Sequence, residues 1–328
     1  MQKNTVTLFG ELLLRLDTPD HQRLEQADSL QVSYTGGEAN VAVALSQWGV
    51  ESSIVSAVPE NALGKACLNH FRRYGVNTDS VVRTGDRLGT LYVEKGAGQR
   101  GTRVTYDREA TSFRKIQPED IDWQRVLVNC SWFHFTGTAL VSPSTRNTLI
   151  AGLKIARELE IPTSFDVSYR SKLWSVAEAT KAFQEVISNA DLLIGSELDA
   201  STFFGVTQTG DQALQDLHQK LGLKWTAFTD RRSDEFGRNF YSAKFFDGET
   251  IFKSDEQQTF NVDRIGTGDA FAAGLIYCLL NKSPDKYSVD FATAAAVLKH
   301  TISGDFALLS RSEIDVFVQG NAKGKISR

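Results

Sequence analysis

A glycine loop that leads directly into an almost entirely apolar segment places the strongest constraint on the fold of this chain. The loop is Gly266-Thr267-Gly268-Asp269, and nearly every residue from 270 to 280 is apolar. That composition predicts a helix that is buried on most sides. Such a helix has to lie inside a large domain, and the 328 residues of the chain are enough to build one.

The same stretch predicts an anion site. The first turn of a helix presents N–H groups without helical partners and the positive end of the helix dipole, so it attracts anions. Glycines allow the backbone to approach such a ligand closely. Asp269 is negatively charged, so it is not expected to bind an anion. We expect it instead to act as a base toward a hydroxyl that attacks a phosphate. The alternative is that Gly268 and Asp269 simply start and cap a core helix.

The composition is that of a globular protein and excludes several classes of partner. Hydrophobic residues make up 41%, charged residues make up 23%, and the formal net charge is −4. Neither a nucleic acid nor a membrane surface is therefore expected as a partner. No stretch has the apolar length of a membrane span, and residues 1–10 lack the apolar core of a signal peptide.

The cysteines and histidines indicate a cytoplasmic protein without a structural metal. Cys67, Cys130 and Cys278 lie far apart in apolar segments. Isolated cysteines of this kind are typical of free thiols in a reducing compartment. The histidines show no spacing that would suit a metal ion.

Predicted strands and helices alternate along most of the chain, which is typical of βαβ units and a parallel sheet. The clearest helix follows Gly36-Gly37, carries apolar residues at helical spacing, and ends at Gly49. The alternation is interrupted at residues 11–34 and 89–108, where strands and turns are predicted without helices between them. We therefore predict one domain over residues 1–328, a doubly wound, mostly parallel α/β sheet with helices on both faces. A small β-sheet lid is expected from about residues 11–35 and 87–114.

A second glycine motif lies in the predicted lid. Residues 96–101 match the dinucleotide-binding pattern G-x-G-x-x-G. That pattern needs a helix after it, whereas here a strand is predicted. We therefore interpret residues 96–101 as a hairpin loop.

Candidate site residues follow the predicted strands, because ligands of open parallel sheets bind beyond the carboxyl ends of the strands. They are Gly36, Gly37, Asn40, Asp166, Arg170, Ser196, Asp199, Thr229, Arg231 and residues 266–269. No Walker A loop is present in the sequence. A phosphate-transfer enzyme with this sequence would be of a non-P-loop type.

Two segments near opposite ends of the chain resemble a known family. Gly36-Gly-Glu-Ala-Asn-Val-Ala-Val-Ala-Leu45 and Asp263-Arg-Ile-Gly-Thr-Gly-Asp-Ala-Phe-Ala-Ala-Gly274 are similar to the two signatures of the ribokinase-like (PfkB) carbohydrate kinases. The resemblance extends over essentially the whole chain. Residues 10–16, 106–108, 165–174 and 298–305 further resemble the branch that acts on 2-keto-3-deoxygluconate.

The resemblance implies transfer of phosphate from ATP, with Mg²⁺, to a sugar hydroxyl. Asp269 takes the place of the catalytic base, and Gly266, Thr267 and Gly268 that of the anion hole. The implied substrate contacts are Gly36, Gly37, Asn40, Asp166 and Asp305, with Tyr92 and Tyr106 reaching in from the lid. The implied nucleotide contacts are Ser196, Thr229, Arg231, Gly266, Gly268, Lys299, His300 and Gly304.

The chain departs from the family pattern near the metal. Ser196 and Asp199 stand where members usually carry Asn and Glu, so Asp199 is expected to act on Mg²⁺ through water. Thr267 replaces a smaller residue, and Ser168 stands where an Asn is expected.

Two arginines are predicted to face the site and to bind a substrate carboxylate. Arg108 ends a lid strand, and Arg170 follows the strand that ends at Asp166. The guanidinium fork suits a carboxylate. The alternative is that they pair with nearby acids such as Asp107 or Asp166.

Three functions are compatible with these features. The first is an acid-sugar kinase that phosphorylates the terminal hydroxyl of 2-keto-3-deoxygluconate. The second is a neutral-sugar kinase such as a fructokinase, and the third is a sugar-binding protein that has lost catalysis. The resemblance also implies a homo-oligomer, a dimer through the lid or a larger assembly.

Overall fold

The computed structural model of the protein describes residues 4–98 and 100–320. The strands are β1 (Thr5–Phe9), β2 (Leu13–Asp17), β3 (Gln31–Thr35), β4 (Glu51–Val58), β5 (Val81–Arg83), β6 (Gly89–Glu94), β7 (Arg103–Asp107), β8 (Trp132–Thr136), β9 (Thr163–Asp166), β10 (Leu192–Gly195), β11 (Trp225–Ser233), β12 (Asn239–Phe246), β13 (Ile251–Lys253) and β14 (Gln257–Thr259). The helices are α1 (Gly37–Gln47), α2 (Ala62–Arg72), α3 (Trp123–Leu127), α4 (Pro143–Glu158), α5 (Val176–Val186), α6 (Glu197–Phe204), α7 (Gly210–Leu221), α8 (Thr267–Leu280), α9 (Asp285–Lys299) and α10 (Arg311–Val318).

The main sheet has the order β13-β12-β11-β10-β9-β8-β1-β4-β5, and β14 pairs with β12. All neighbours from β11 to β5 are parallel, whereas β12 pairs antiparallel with β11, β13 and β14. The predicted, mostly parallel sheet is thus confirmed, with an antiparallel edge at β12–β14.

Both faces of the main sheet are covered by helices because side chains alternate along its strands. In β10, Leu192 and Ile194 belong to one buried cluster and Leu193 to the other. The first cluster includes residues of α1, α2, α8, α9 and α10, and the second includes residues of α3 to α7. Helix α8 lies deep in the first cluster, as its apolar sequence predicts, with most of its residues buried.

A separate four-stranded sheet has the order β3-β2-β6-β7; we call it the small sheet. Its inner face carries Leu13, Leu91 and Val93, which pack with Ile265 from the loop before α8. The described residues of 96–101, which leave out residue 99, lie between β6 and β7, with a bridge between Ala97 and Arg100. No helix follows them, so the interpretation as a hairpin loop rather than a dinucleotide motif is confirmed.

The topology of the main sheet creates a crevice at its carboxyl edge. Strand β1 lies between β4 and β8, so the chain leaves β1 toward one side of the sheet and later returns on the other. Ligands of doubly wound sheets bind where the strand order reverses in this way. In the part of the chain that the structure describes, no helix is both long and apolar enough to cross a membrane.

Candidate active site

A cleft of about 1420 Å³ is bounded by the carboxyl edge of the main sheet and by residues of the small sheet. Most of the sequence-predicted site residues line it. They are Gly36, Gly37, Asn40, Tyr106, Arg108, Asp166, Arg170, Ser196, Asp199, Thr229, Arg231, Gly266, Thr267, Gly268, Asp269 and Asp305. The fold therefore brings together segments from the beginning, middle and end of the chain.

The N-terminus of α8 forms one wall of the cleft. Gly266 precedes the helix in the left-handed conformation, with φ of 85°, which glycine adopts without strain. A Cβ at this position would also overlap the backbone oxygen of Asp305. Gly268 follows in the first turn, where N–H groups have no helical partner. The loop therefore has the geometry of an anion site that opens into the cleft.

Asp269 lies in the first turn of α8 and is tied to the start of α1. Its Oδ2 accepts a hydrogen bond of 2.7 Å from Asn40 Nδ2. Burial raises the pKa of Asp269 above its ordinary value, while the Asn40 hydrogen bond and the charge of Arg170 oppose that shift. A carboxylate whose basicity is increased in this way, beside an anion site, is suited to act as a general base.

Two further carboxylates face the same region. Asp166 ends β9, and burial together with the charge of Asp269 raises its pKa to about 7. Asp199 forms a capping box with Ser196, whose backbone N and Oγ both donate to Asp199 Oδ2, at 2.9 and 2.6 Å. Burial raises the pKa of Asp199, and the Ser196 bonds oppose the shift. The repulsion among these carboxylates favours binding of a cation or of a proton.

The three arginines of the cleft that the sequence predicted differ in whether another protein group already binds the guanidinium. Arg108 donates through Nε and Nη2 to Glu11 Oε2, at 2.8 and 2.6 Å. Arg231 Nη2 donates to Thr267 Oγ1 at 3.2 Å, at the mouth of the anion site. Within the described ranges the Arg170 guanidinium makes no ion pair, and its one hydrogen bond there goes to the backbone carbonyl of Tyr169 at 3.0 Å. Arg170 thus remains available to an anionic ligand.

This arrangement can transfer a phosphoryl group. The carboxylate of Asp269, whose pKa is raised by burial, lies next to helix N–H groups that can stabilise developing negative charge, and Arg231 donates to Thr267 beside them. The family described as "pfkB family carbohydrate kinase" matches residues 3–308.

The chain belongs to the PfkB family of carbohydrate kinases.

Relatives and solved structures agree with this assignment. The chain is 30% identical over 319 residues to a 2-dehydro-3-deoxygalactonokinase of Haloferax volcanii, with 96% of this chain and 97% of the relative covered. It is 25% identical over 325 residues to a 5-dehydro-2-deoxygluconokinase of Geobacillus thermodenitrificans, covering 94% and 91%. The crystal structure of 2-dehydro-3-deoxygluconokinase from Thermotoga maritima superposes with a TM-score of 0.93 at 37% identity, covering 97% and 99%.

The assignment confirms the predicted ribokinase-like fold and the prediction of an ATP-dependent carbohydrate kinase. PfkB kinases use ATP together with Mg²⁺. Mg²⁺ at such sites is held by one or two carboxylates and by substrate phosphates. Asp199 Oδ1 has no bond within the described residues, and Asp166 uses only Oδ1, which accepts from Ser168 N at 3.1 Å. The free oxygens of these two carboxylates fit the needs of a magnesium ion.

The structure corrects the prediction for Tyr92. Side chains alternate across a strand, and Leu91 of β6 lines the cleft. Leu91 pairs with Tyr106 and shares its face, whereas Tyr92 pairs with Thr105 on the opposite face. Tyr92 therefore points away from the cleft, and of the two predicted lid tyrosines Tyr106 alone lines it.

Three of the predicted nucleotide contacts, Lys299, His300 and Gly304, do not line the cleft. Lys299 is fully buried, and its Nζ donates to the carbonyls of Asp263 and Ile302 at 3.3 and 3.0 Å. His300 Nδ1 lies 2.7 Å from the carbonyl oxygen of Ala296, and Gly304 N donates to Asp263 Oδ2 at 3.2 Å. These residues support the loop before α8 from behind.

Sequence reasoning missed several polar residues around the cleft. Glu11 orients Arg108, and Glu38 Oε1 accepts from Thr136 N and Oγ1 at 3.0 and 2.7 Å. Arg264 lines the cleft next to the anion site. Burial raises the pKa of Glu38 to about 7. The position of Glu38 directly after Gly36-Gly37 was a usable signal, whereas Glu11 becomes recognisable only through its tertiary partner.

Proposed function

We propose that this kinase phosphorylates the terminal hydroxyl of 2-keto-3-deoxygluconate or a closely related keto-deoxy sugar acid. The observation that carries the proposal is the position of Arg170. Its side chain lines the cleft together with Asp269, yet it has no acidic partner within ion-pair distance among the described residues. A guanidinium in this state is suited to bind a substrate carboxylate.

Arg108 supports the same substrate class from the small sheet. Glu11 accepts from Nε and Nη2 of its guanidinium, and Nη1 has no protein partner among the described residues. The buried ion pair with Glu11 fixes the orientation of the guanidinium. Arg108 can therefore direct its remaining donor to the ligand, although the sequence alone left open whether Arg108 was free or paired.

The relatives support the same substrate class by name. The kinases of Haloferax volcanii, Geobacillus thermodenitrificans and Thermotoga maritima are all named for dehydro-deoxy derivatives of gluconate or galactonate, which carry a carboxylate. Neutral sugars such as fructose lack this group. The proposal of an acid sugar thus agrees with the free guanidinium in the cleft.

The mechanism that we propose assigns one role to each part of the cleft. Asp269 accepts the proton of the attacking hydroxyl, and Asn40 holds its carboxylate in position. The N–H groups of the first turn of α8 and the guanidinium of Arg231 stabilise charge on the transferred phosphoryl group. When bound, Mg²⁺ neutralises phosphate charge, and Asp166 and Asp199 are the residues that would hold it. Gly36, Gly37, Tyr106 and Asp305 contact the sugar, and Ser196 and Thr229 the nucleotide.

A panel of sugars with a coupled assay for ADP tests this proposal. We expect 2-keto-3-deoxygluconate to be used far better than fructose or ribose, with the galactonate-derived acid included for comparison. Arg170→Met should raise KM for the acid sugar about tenfold or more, since a hydrogen bond to a charged group contributes about 1.5–3 kcal/mol. Weak turnover of neutral sugars should be unaffected.

Arg232→Met is the matched control, because Arg232 pairs with Glu256 at the surface and does not line the cleft. A wild type that prefers fructose would establish the neutral-sugar alternative. Absence of turnover with every sugar, despite sugar binding, would establish the non-catalytic alternative.

We further propose that the protein forms a homodimer through the outer face of the small sheet. Leu16 and Tyr92 are partly buried there, and Val32 is 59% exposed. An apolar face of this kind is typical of an interaction surface. Light scattering should give a dimer for the wild type and a monomer for Val32→Asp. Val316→Asp, at an exposed site on α10, should leave the dimer intact.

We also propose a cytoplasmic location. The three cysteines are free thiols, and free thiols persist in reducing compartments. Labelling of fractionated cells with an antibody against the protein would test this.

A further inference from the structure

We infer that Arg15 is a positioning residue that couples the small sheet to the anion site, so that sugar and nucleotide bind cooperatively. Arg15 belongs to strand β2 of the small sheet and is only 1% exposed. Its partners are the acids Asp17, Asp263 and Asp305. The inference rests on the kinase activity of the family and not on the identity of the sugar.

The guanidinium joins residues that are far apart in the chain. Nε and Nη2 bind Asp17 on the same strand, the latter at 2.6 Å. Nη2 also binds Asp263 Oδ2 at 3.0 Å, and Nη1 donates to Asp305 Oδ1. Asp263 precedes the anion-site loop, and Asp305 lies in the segment between α9 and α10. One buried cation therefore connects the small sheet to both segments.

Asp263 transmits this connection to the anion site. Its Oδ1 accepts from Ile265 N at 3.0 Å, and its Oδ2 accepts from Gly304 N at 3.2 Å. The buried ammonium of Lys299 holds the backbone carbonyl of the same residue at 3.3 Å. The backbone just before Gly266 is thus fixed by the carboxylate that Arg15 neutralises.

Asp305 makes the second connection, because it contacts the anion-site loop through its backbone and also lines the cleft. Its backbone oxygen packs against Gly266, where a Cβ would overlap it. Its Oδ2 is buried and has no hydrogen-bond partner among the described residues, although Asp305 lines the cleft. Since Arg15 occupies the other oxygen, Oδ2 remains for a ligand hydroxyl. Ligand contact at Asp305 would therefore act on Arg15 and on Gly266 together.

Burial makes the connection stiff. Removal of one partner from a buried ionic cluster leaves uncompensated charge, so the cluster resists partial separation. Movement of β2 therefore has to carry Asp263 and Asp305 along. Apolar packing of Leu13, Leu91 and Val93 on Ile265 already attaches the small sheet to the loop. The cluster adds a defined geometry between the two, which apolar packing alone does not impose.

The test is the effect of sugar on nucleotide affinity. Calorimetry would give the Kd of adenylyl imidodiphosphate with Mg²⁺, with and without saturating amounts of the sugar that the substrate panel identifies. We expect sugar to strengthen nucleotide binding by at least about fivefold in the wild type, a common size for coupling between sites. In Arg15→Lys, which keeps the charge but loses the fork, the ratio should fall to about one. Its kcat should fall as well.

The matched control is Arg87→Met, which removes a surface ion pair between the segment before β6 and the end of β7. Arg87 Nη2 lies 2.7 Å from Asp107 Oδ1, and both side chains are substantially exposed. This variant should keep the wild-type ratio. If Arg15→Lys does not fold, Asp263→Asn provides the second variant, and its ratio should also fall to about one.

Three results would overturn the inference. The first is a wild type without coupling between sugar and nucleotide. The second is an Arg15→Lys protein with a lowered Tm but a wild-type coupling ratio and kcat, because that would show a structural role alone. The third is an equal loss of coupling in Arg87→Met, since any disturbance of the small sheet would then produce the effect.

Discussion

Asn40 Nδ2 donates a 2.7 Å hydrogen bond to Asp269 Oδ2 and so joins the first turns of α1 and α8. The two glycine motifs of the sequence therefore meet in space at the carboxylate to which we assign proton transfer. Thr35 Oγ1 in turn donates to Asn40 Oδ1 at 3.2 Å, which fixes the orientation of the amide. The position of the base is thus determined by a helix from the other end of the chain.

Asp269→Asn should abolish most of the turnover while leaving the fold intact. The substitution keeps the size of the side chain but removes its basicity, so kcat should fall by roughly 10²–10⁴. Sugar affinity, measured by calorimetry, should change little. If Asp269 only starts the helix, the variant would instead lose thermal stability and keep normal turnover in the folded fraction.

Asn40→Ala should move the acid limb of the pH–rate profile to higher pH. The amide hydrogen bond favours the ionised form of Asp269 and so opposes the effect of burial on its pKa. Without that bond the pKa of Asp269 rises further, and more of the enzyme is protonated and inactive at a given acidic pH. Asn61→Ala, which removes an N-cap of α2 outside the cleft, should leave the limb in place. An unchanged profile in Asn40→Ala would contradict the assigned base.

Asp166→Asn should stabilise the protein at alkaline pH. The pKa of Asp166 is about 7 in the folded protein, against an ordinary value of 3.8. The unfolded chain therefore releases this proton first, and the free energy of unfolding falls as the pH rises from the lower value through the higher one. About three pKa units correspond to at most about 4 kcal/mol, and partial solvent exposure reduces the effect.

Thermal unfolding at acidic and alkaline pH measures the effect of Asp166→Asn. The gain in Tm over the wild type should be present at pH 8 and small at pH 4. Asp216→Asn, at a half-buried position on α7 outside the cleft, should show no such difference. Equal Tm gains of Asp166→Asn at both pH values would mean that the carboxylate ionises normally.

Two glycines of the anion site should respond differently to alanine. Gly266→Ala should destabilise the fold by about 1–3 kcal/mol or more, because φ there is 85° and the new Cβ would overlap the backbone of Asp305. At Gly268 the nearest atom to a new Cβ is Arg231 Nη2 at 3.6 Å, an ordinary contact. Gly268→Ala should therefore fold normally but lose turnover, since the methyl group would narrow the anion site. Wild-type kcat in Gly268→Ala would show that ligands do not approach this backbone closely.

The sequence pattern predicted the helices and strands because each of them depends on residues that are close together in the chain. The apolar run after Gly268 could only be a buried helix, and the strand after residues 96–101 excluded a dinucleotide motif. The alternation of strands and helices predicted the parallel sheet and its carboxyl edge. For this reason residues at or soon after the carboxyl ends of strands, such as Asp166 at the end of β9 and Asp199 in the first turn of α6, could be placed in the cleft from the sequence.

The remaining features depend on which side chains meet, and no local signal contains that information. The sequence by itself determined a parallel sheet with an anion site at the start of α8 and a carboxylate beside it. Only the tertiary structure decided that Tyr92 faces away, because a single step along a strand reverses the side-chain direction. The tertiary structure alone decided that Lys299 binds backbone carbonyls behind the loop before α8. It also decided that Arg108 pairs with Glu11, whereas Arg170 has no acidic partner among the described residues. The physical reason is that burial and pairing fix the availability of a charged group, and both arise only when distant segments pack together.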